Sequence, residues 1–184
     1  MRLEIPSRLD ELTIPVYRRV MSLNEEKQSD SAKAERLVSL LAGIPISEIR
    51  KMTQKSFDKV GRTIAQMKPV EKSYALDVFY EHDGIQYGFI PNLDKITVGE
   101  MTDLEFMCSD TTANLEKIMS VLYRPVTERH GPFYSVKDYE GVNEKPFLEM
   151  PIRQAMGALN FFFHLGIASL SSINSSFKEE KEEG

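Results

Sequence analysis

The chain has 184 residues, a mass of 21.0 kDa, a net charge of −5 and a single cysteine. One cysteine excludes an intramolecular disulfide and any multi-cysteine zinc site, and a sequence pI near 5.3 argues against general binding to phosphate backbones. With 41% hydrophobic and 28% charged residues, the composition is that of a soluble globular domain.

The first residues, Met1-Arg2-Leu3-Glu4-Ile5-Pro6, lack the apolar run of a secretory leader. Leu3 to Pro6 reads as a short extended segment. Thr13 is placed to cap a helix that carries Pro15 in its first turn and runs to about Leu23. From Ala32 the apolar positions Ala34, Leu37, Val38 and Leu41 predict an amphipathic helix, with Gly43 and Pro45 as its stop. Thr53 caps another helix, whose stripe is Phe57, Val60, Ile64 and Met67.

The period then changes. Tyr74 to Tyr80 and Ile85 to Ile90 are rich in aromatic and β-branched residues and flank Asp83-Gly84. That dipeptide predicts a hairpin, because a type I′ turn needs positive φ at both central residues. Thr97 and Glu100 form a capping-box pair at the start of the next helix. A second helix carries Leu115, Ile118, Met119 and Leu122 on one face and is expected to stop at Pro125. Thr127 to Lys145 reads as irregular, with turns at Gly131-Pro132 and Gly141 and a short strand at Phe133 to Val136.

The last helix is expected from about Pro151 to Leu170 and is apolar over most of its circumference. Its apolar stretch, Ala155 to Leu170, is interrupted by Asn160 and His164 and falls short of the roughly 20 residues a membrane span needs. The expected fold is therefore α+β: a mainly α-helical single domain with one antiparallel β-hairpin, about 74–90, and a long apolar C-terminal helix. Residues 1–172 form the domain and 173–184 a disordered acidic tail. An internal echo links Ile5 to Ile14 with Ile90 to Val98, each reading Ile-Pro, Leu-Asp, aliphatic, Thr, aliphatic. Common helix-start chemistry explains it more simply than duplication.

Candidate chemistry is sparse. His82, His130 and His164 share no helical spacing, so no metal site is expected. Cys108 reads as a small packed thiol. There is no phosphate-binding glycine loop and no nucleophile elbow. No catalytic residue, cofactor or enzyme activity is expected. Glu100, Asp103 and Glu105 predict an acidic helix surface. Phe161, Phe162 and Leu165 widen the apolar arc of the last helix towards a partner. The candidate partner-binding residues are thus Phe161, Phe162, Leu165, Glu100 and Asp103.

Several short motifs carry a resemblance: Ile5-Pro6 with Leu12-Thr13, Tyr87-Gly88-Phe89-Ile90-Pro91-Asn92-Leu93, Ile96-Thr97-Val98-Gly99-Glu100, and Asp103-Leu104. Val121 to Val126, Met150-Pro151 and Gly157 to Phe162 continue it. In this order the chain resembles small virion-assembly proteins of tailed bacteriophages, among them tail assembly chaperone-like proteins. The resemblance implies no catalytic residues. It implies a phage assembly factor in the host cytoplasm, first of all a tail assembly chaperone holding apolar segments of a tape-measure protein. A minor virion protein of the neck or connector, and an inhibitor of a host protein, are the alternatives. The expected partners are tape-measure, tail or neck components or a second copy in a homo-oligomer, and neither nucleic acid nor membrane.

Overall fold

The structure, a computed structural model, describes residues 5–23, 26–71 and 73–165. Its N-terminal part is helical: α1 (Ile14–Ser22), α2 (Asp30–Ala42), α3 (Ile46–Ile49) and α4 (Gln54–Ala65). Strands β1 (Phe79–His82) and β2 (Ile85–Phe89) follow, then α5 (Val98–Cys108) and α6 (Thr111–Leu122). Strands β3 (Tyr123–His130) and β4 (Phe133–Val136) come next, and helix α7 covers 152–165.

The sheet is where the expected fold is wrong. The hairpin is not alone: four antiparallel strands pair in the order β1-β2-β3-β4, with α5 and α6 inserted between the neighbours β2 and β3. The first hairpin turns as expected, since Asp83 and Gly84 both have positive φ. Its strand starts later than expected, because 74–78 runs extended outside the ladder. There the Asp77 carbonyl accepts from Tyr123 Oη (2.5 Å), and the Phe79 carbonyl at the strand's first residue accepts from Gln154 Nε2 (2.8 Å).

The stretch expected to be irregular, from Thr127, holds the second half of β3. Tyr123 passes straight from α6 into the strand, and Pro125 sits inside it, opposite Tyr87. Proline donates no ladder bond and is unusual in an inner strand. In its pairing with β4, the register of β3 shifts between Val126 and Glu128.

Two apolar clusters hold the fold. The larger joins the sheet, α5, α6 and α7 through Phe89, Ile118, Met119, Leu122, Tyr123, Phe147, Ala155 and Ala158. The smaller joins α1, α2 and α4 through Leu12, Val20 and Leu41. Tyr17 packs against both. Backbone bonds Ile14 N to Met150 O (3.1 Å) and Ile152 N to Leu12 O (2.8 Å) tie α1 to the start of α7, and Arg18 pairs with the buried Glu116 of α6.

The internal echo has a structural counterpart. Leu9–Glu11 and Leu93–Lys95 are both single 3-10 turns, each followed by an extended threonine at the N-cap position of a helix, although only the Thr97 side chain makes a capping bond and the cap expected of Thr13 is not formed. Their environments differ: Asp10 is buried, whereas the matching Asp94 is exposed. The expected acidic tail and the end of the last helix lie outside the described residues. No helix among the described residues is long and apolar enough to cross a membrane.

Candidate functional site

Helix α5 is apolar on two opposite faces. Leu104 and Met107 point into the larger cluster. Val98, Thr102 and Phe106 succeed one another at one-turn intervals on the other side, with Met101 beside them. Val98 is 85% exposed, Phe106 77% and Met101 41%. Single exposed apolar residues are ordinary, but several on one helix face form a patch of the kind that marks a partner site.

The acidic surface expected on this helix is turned inward. Glu100 is 1% exposed. Its Oε2 accepts from the Thr97 backbone N–H (2.6 Å) and from Thr97 Oγ1 (2.7 Å), which completes the capping box. Its Oε1 lies 2.9 Å from Arg124 Nη1 on β3. Asp103 is half-buried and accepts from Tyr139 Oη (2.6 Å). Burial, and then the Asp103 carboxylate, hold the Tyr139 hydroxyl well above its ordinary pKa, so it remains a donor. Of the three acids, only Glu105 stands exposed.

A cleft of about 550 Å³ opens beside this network, lined by Asn92, Lys95, Arg124, Tyr134 and Tyr139 among others. Behind its wall, Glu100 Oε1 and Arg124 Nε are buried without a well-directed hydrogen bond. Both atoms are sealed from the cleft, so the pair supports α5 from beneath.

The three apolar candidates on α7 separate. Ile152, Ala155, Ala158 and Leu159 anchor the first half of the helix in the core. Phe161 is 39% exposed, but one edge meets Phe89 with ring centroids 5.5 Å apart. Phe162 is half-buried and packs on the larger cluster. Leu165 is exposed, as is Phe163, whose ring lies 5.7 Å from that of Phe162. The end of α7 therefore presents Phe163 and Leu165 outward, while Phe161 and Phe162 divide their surface between core and solvent.

Val98 and Phe106 were not among the residues expected to meet a partner. A signal for them was present: α5 carries too many apolar residues for a one-sided helix. Its three acids, read as a solvated face, masked the ridge. Compared with known proteins, the chain matches no family model, no curated sequence and no solved structure.

His82 lies 3.3 Å from Asp83 and 3.6 Å from Glu149. Burial pushes the Cys108 thiol up, which disfavours the thiolate. Among the described residues, no three His, Cys, Asp or Glu side chains are placed to hold a metal ion.

Proposed function

We propose that this protein is a non-enzymatic assembly factor of a tailed bacteriophage. It acts in the host cytoplasm as a tail assembly chaperone that holds apolar segments of a tape-measure protein. The observation that carries the reading is the α5 ridge of Val98, Met101 and Phe106, exposed while Glu100 and Asp103 of the same helix are turned inward. A holding surface must be apolar enough to bind and rigid enough not to collapse. The Glu100–Arg124 pair and the capping box supply that rigidity. The resemblance of its ordered motifs to those of phage assembly proteins gives the reading its direction.

Co-expression with the tape-measure protein of the same phage tests this directly. The Val98→Ser/Phe106→Ser variant is expected to lose capture while its melting temperature stays within about 3 °C of the parent, because neither side chain is in the core. Equal capture by both proteins sinks the reading. Finding the protein in purified virions at stoichiometric copy number also sinks it and favours the neck or connector alternative. One observation speaks for that alternative: β4 is an outer strand whose Phe133 is 77% exposed, a place where a second chain can pair.

A further inference from the structure

The charge of the chain is unevenly placed. From Arg50 to Lys68 there are six basic side chains and one acid, Asp58, within a protein whose total is −5. The remainder is therefore more acidic than the whole. Most of the basic stretch is helix α4, and the helix orders its side chains by face. Ile64 and Met67 pack on the α1–α2 cluster. Lys55, Lys59 and Arg62 recur at intervals of four and three residues on the opposite face, and all three are exposed.

Among the described residues no carboxylate pairs with these three cations, whereas several arginines of the protein are paired. Arg8, Arg18, Arg36, Arg50 and Arg124 each pair with a carboxylate, and Arg129 lies over the Phe79 ring. Lys55 and Lys59 have no such partner among the described residues, and Arg62 reaches only the Asp58 carbonyl at 3.4 Å. Asp58 itself is bonded by Gln54 (2.8 Å). Three adjacent cations repel one another unless a counter-charge approaches.

We propose that the outward face of α4 docks a short acidic segment of a partner protein, with carboxylates one helical turn apart. This surface is separate from the α5 ridge and does not depend on it. The spacing of Lys55 and Lys59, about 6 Å along the axis, matches Asp or Glu residues four apart on a facing helix. A lipid surface fits poorly, because insertion needs apolar side chains beside the basic ones, and here they point the opposite way into the protein. A long polyanion fits poorly too. The basic face spans only about 10 Å along the axis from Lys55 to Arg62, and beyond it the polyanion meets a predominantly acidic chain.

The test is fluorescence anisotropy of the full-length protein with a labelled synthetic peptide. The peptide is alanine-rich, with glutamate at every fourth position. A single-stranded DNA of similar length and vesicles containing phosphatidylserine serve as competitors. Saturable binding is expected that weakens as salt is raised. It should fall roughly tenfold or more in the Lys55→Gln/Lys59→Gln/Arg62→Gln variant. That variant should melt as the parent does, because the three side chains are exposed; Lys59→Gln alone serves if it does not. Unchanged binding by the variant overturns the proposal. So does no saturation, or DNA or vesicles displacing the peptide at lower concentration than the peptide itself. Binding that appears only after residues 173–184 are removed assigns the face to the chain's own end, and overturns it as well.

Discussion

Gly157 stands where the extended segment 74–78 crosses α7. A Cβ there would lie 2.3 Å from the Ala75 carbonyl oxygen, a backbone atom that cannot swing aside. Gly157→Ala is expected to destabilise the protein by about 1–3 kcal/mol, through forced separation of segment and helix. Gly61, in the middle of α4, is the opposite case. An added methyl would meet nothing within 4 Å, and the φ there is ordinary. Gly61→Ala should therefore stabilise by about 0.5–1 kcal/mol, by lowering the entropy of the unfolded chain. Urea unfolding of both variants checks the pair of signs. Gly88 shows a softer constraint, since an added Cβ would meet the edge of the Tyr134 ring at 2.6 Å, and a side chain can move.

At the scale of elements, α5 and β3 depend on each other. The capping box at Thr97 and Glu100 was legible in the sequence, because its two residues are three apart and their chemistry is local. The ion pair that the same Glu100 makes with Arg124 was not. It depends on a distant strand that Pro125 disguised as a helix stop. Removing one partner of a buried pair leaves an uncompensated charge. Arg124→Met alone is thus expected to cost about 3 kcal/mol. Glu100→Gln in the same chain keeps a carbonyl oxygen for Thr97 and should recover about 1 kcal/mol or more of that loss. A double variant no more stable than Arg124→Met would remove the pair from the account of how α5 is held. The α5 ridge was hidden in the sequence for a related reason. A helical wheel counts polarity, but only packing decides which polar residues find partners inside.

Across the whole molecule, charge ties distant pieces together. Asp10 is buried beneath Arg8, whose Nη2 is 2.5 Å from one carboxylate oxygen, and Tyr74 donates to the same group at 2.8 Å. This contact bridges the first 3-10 turn and the segment that crosses α7. The Arg8 guanidinium holds the Asp10 carboxyl below the usual carboxylate range. A depressed folded pKa gives stability that is present above the ordinary value and is lost as pH falls through the folded one. The stability difference between the parent and Asp10→Asn should then be largest near neutrality and shrink below about pH 4. Chemical denaturation across that range checks it, and a difference that does not change with pH contradicts the role given to Arg8.

Local chemistry by itself determined the helices of the first half, the Asp83-Gly84 turn, the Thr97 cap and the buried stripe of α6. Each depends on residues within about two helical turns of one another, where periodicity, capping and turn preference act. Tertiary structure decided that the hairpin becomes half of a four-stranded sheet, and that Glu100 and Asp103 face inward while Val98 and Phe106 face out. It also decided that Phe161 and Phe162 lean on the core while Phe163 and Leu165 face outward. These outcomes depend on partners far apart in the chain, such as Arg124 for Glu100 and Phe89 for Phe161. A buried charge or an exposed ring is stable only through the neighbour that the fold brings to it.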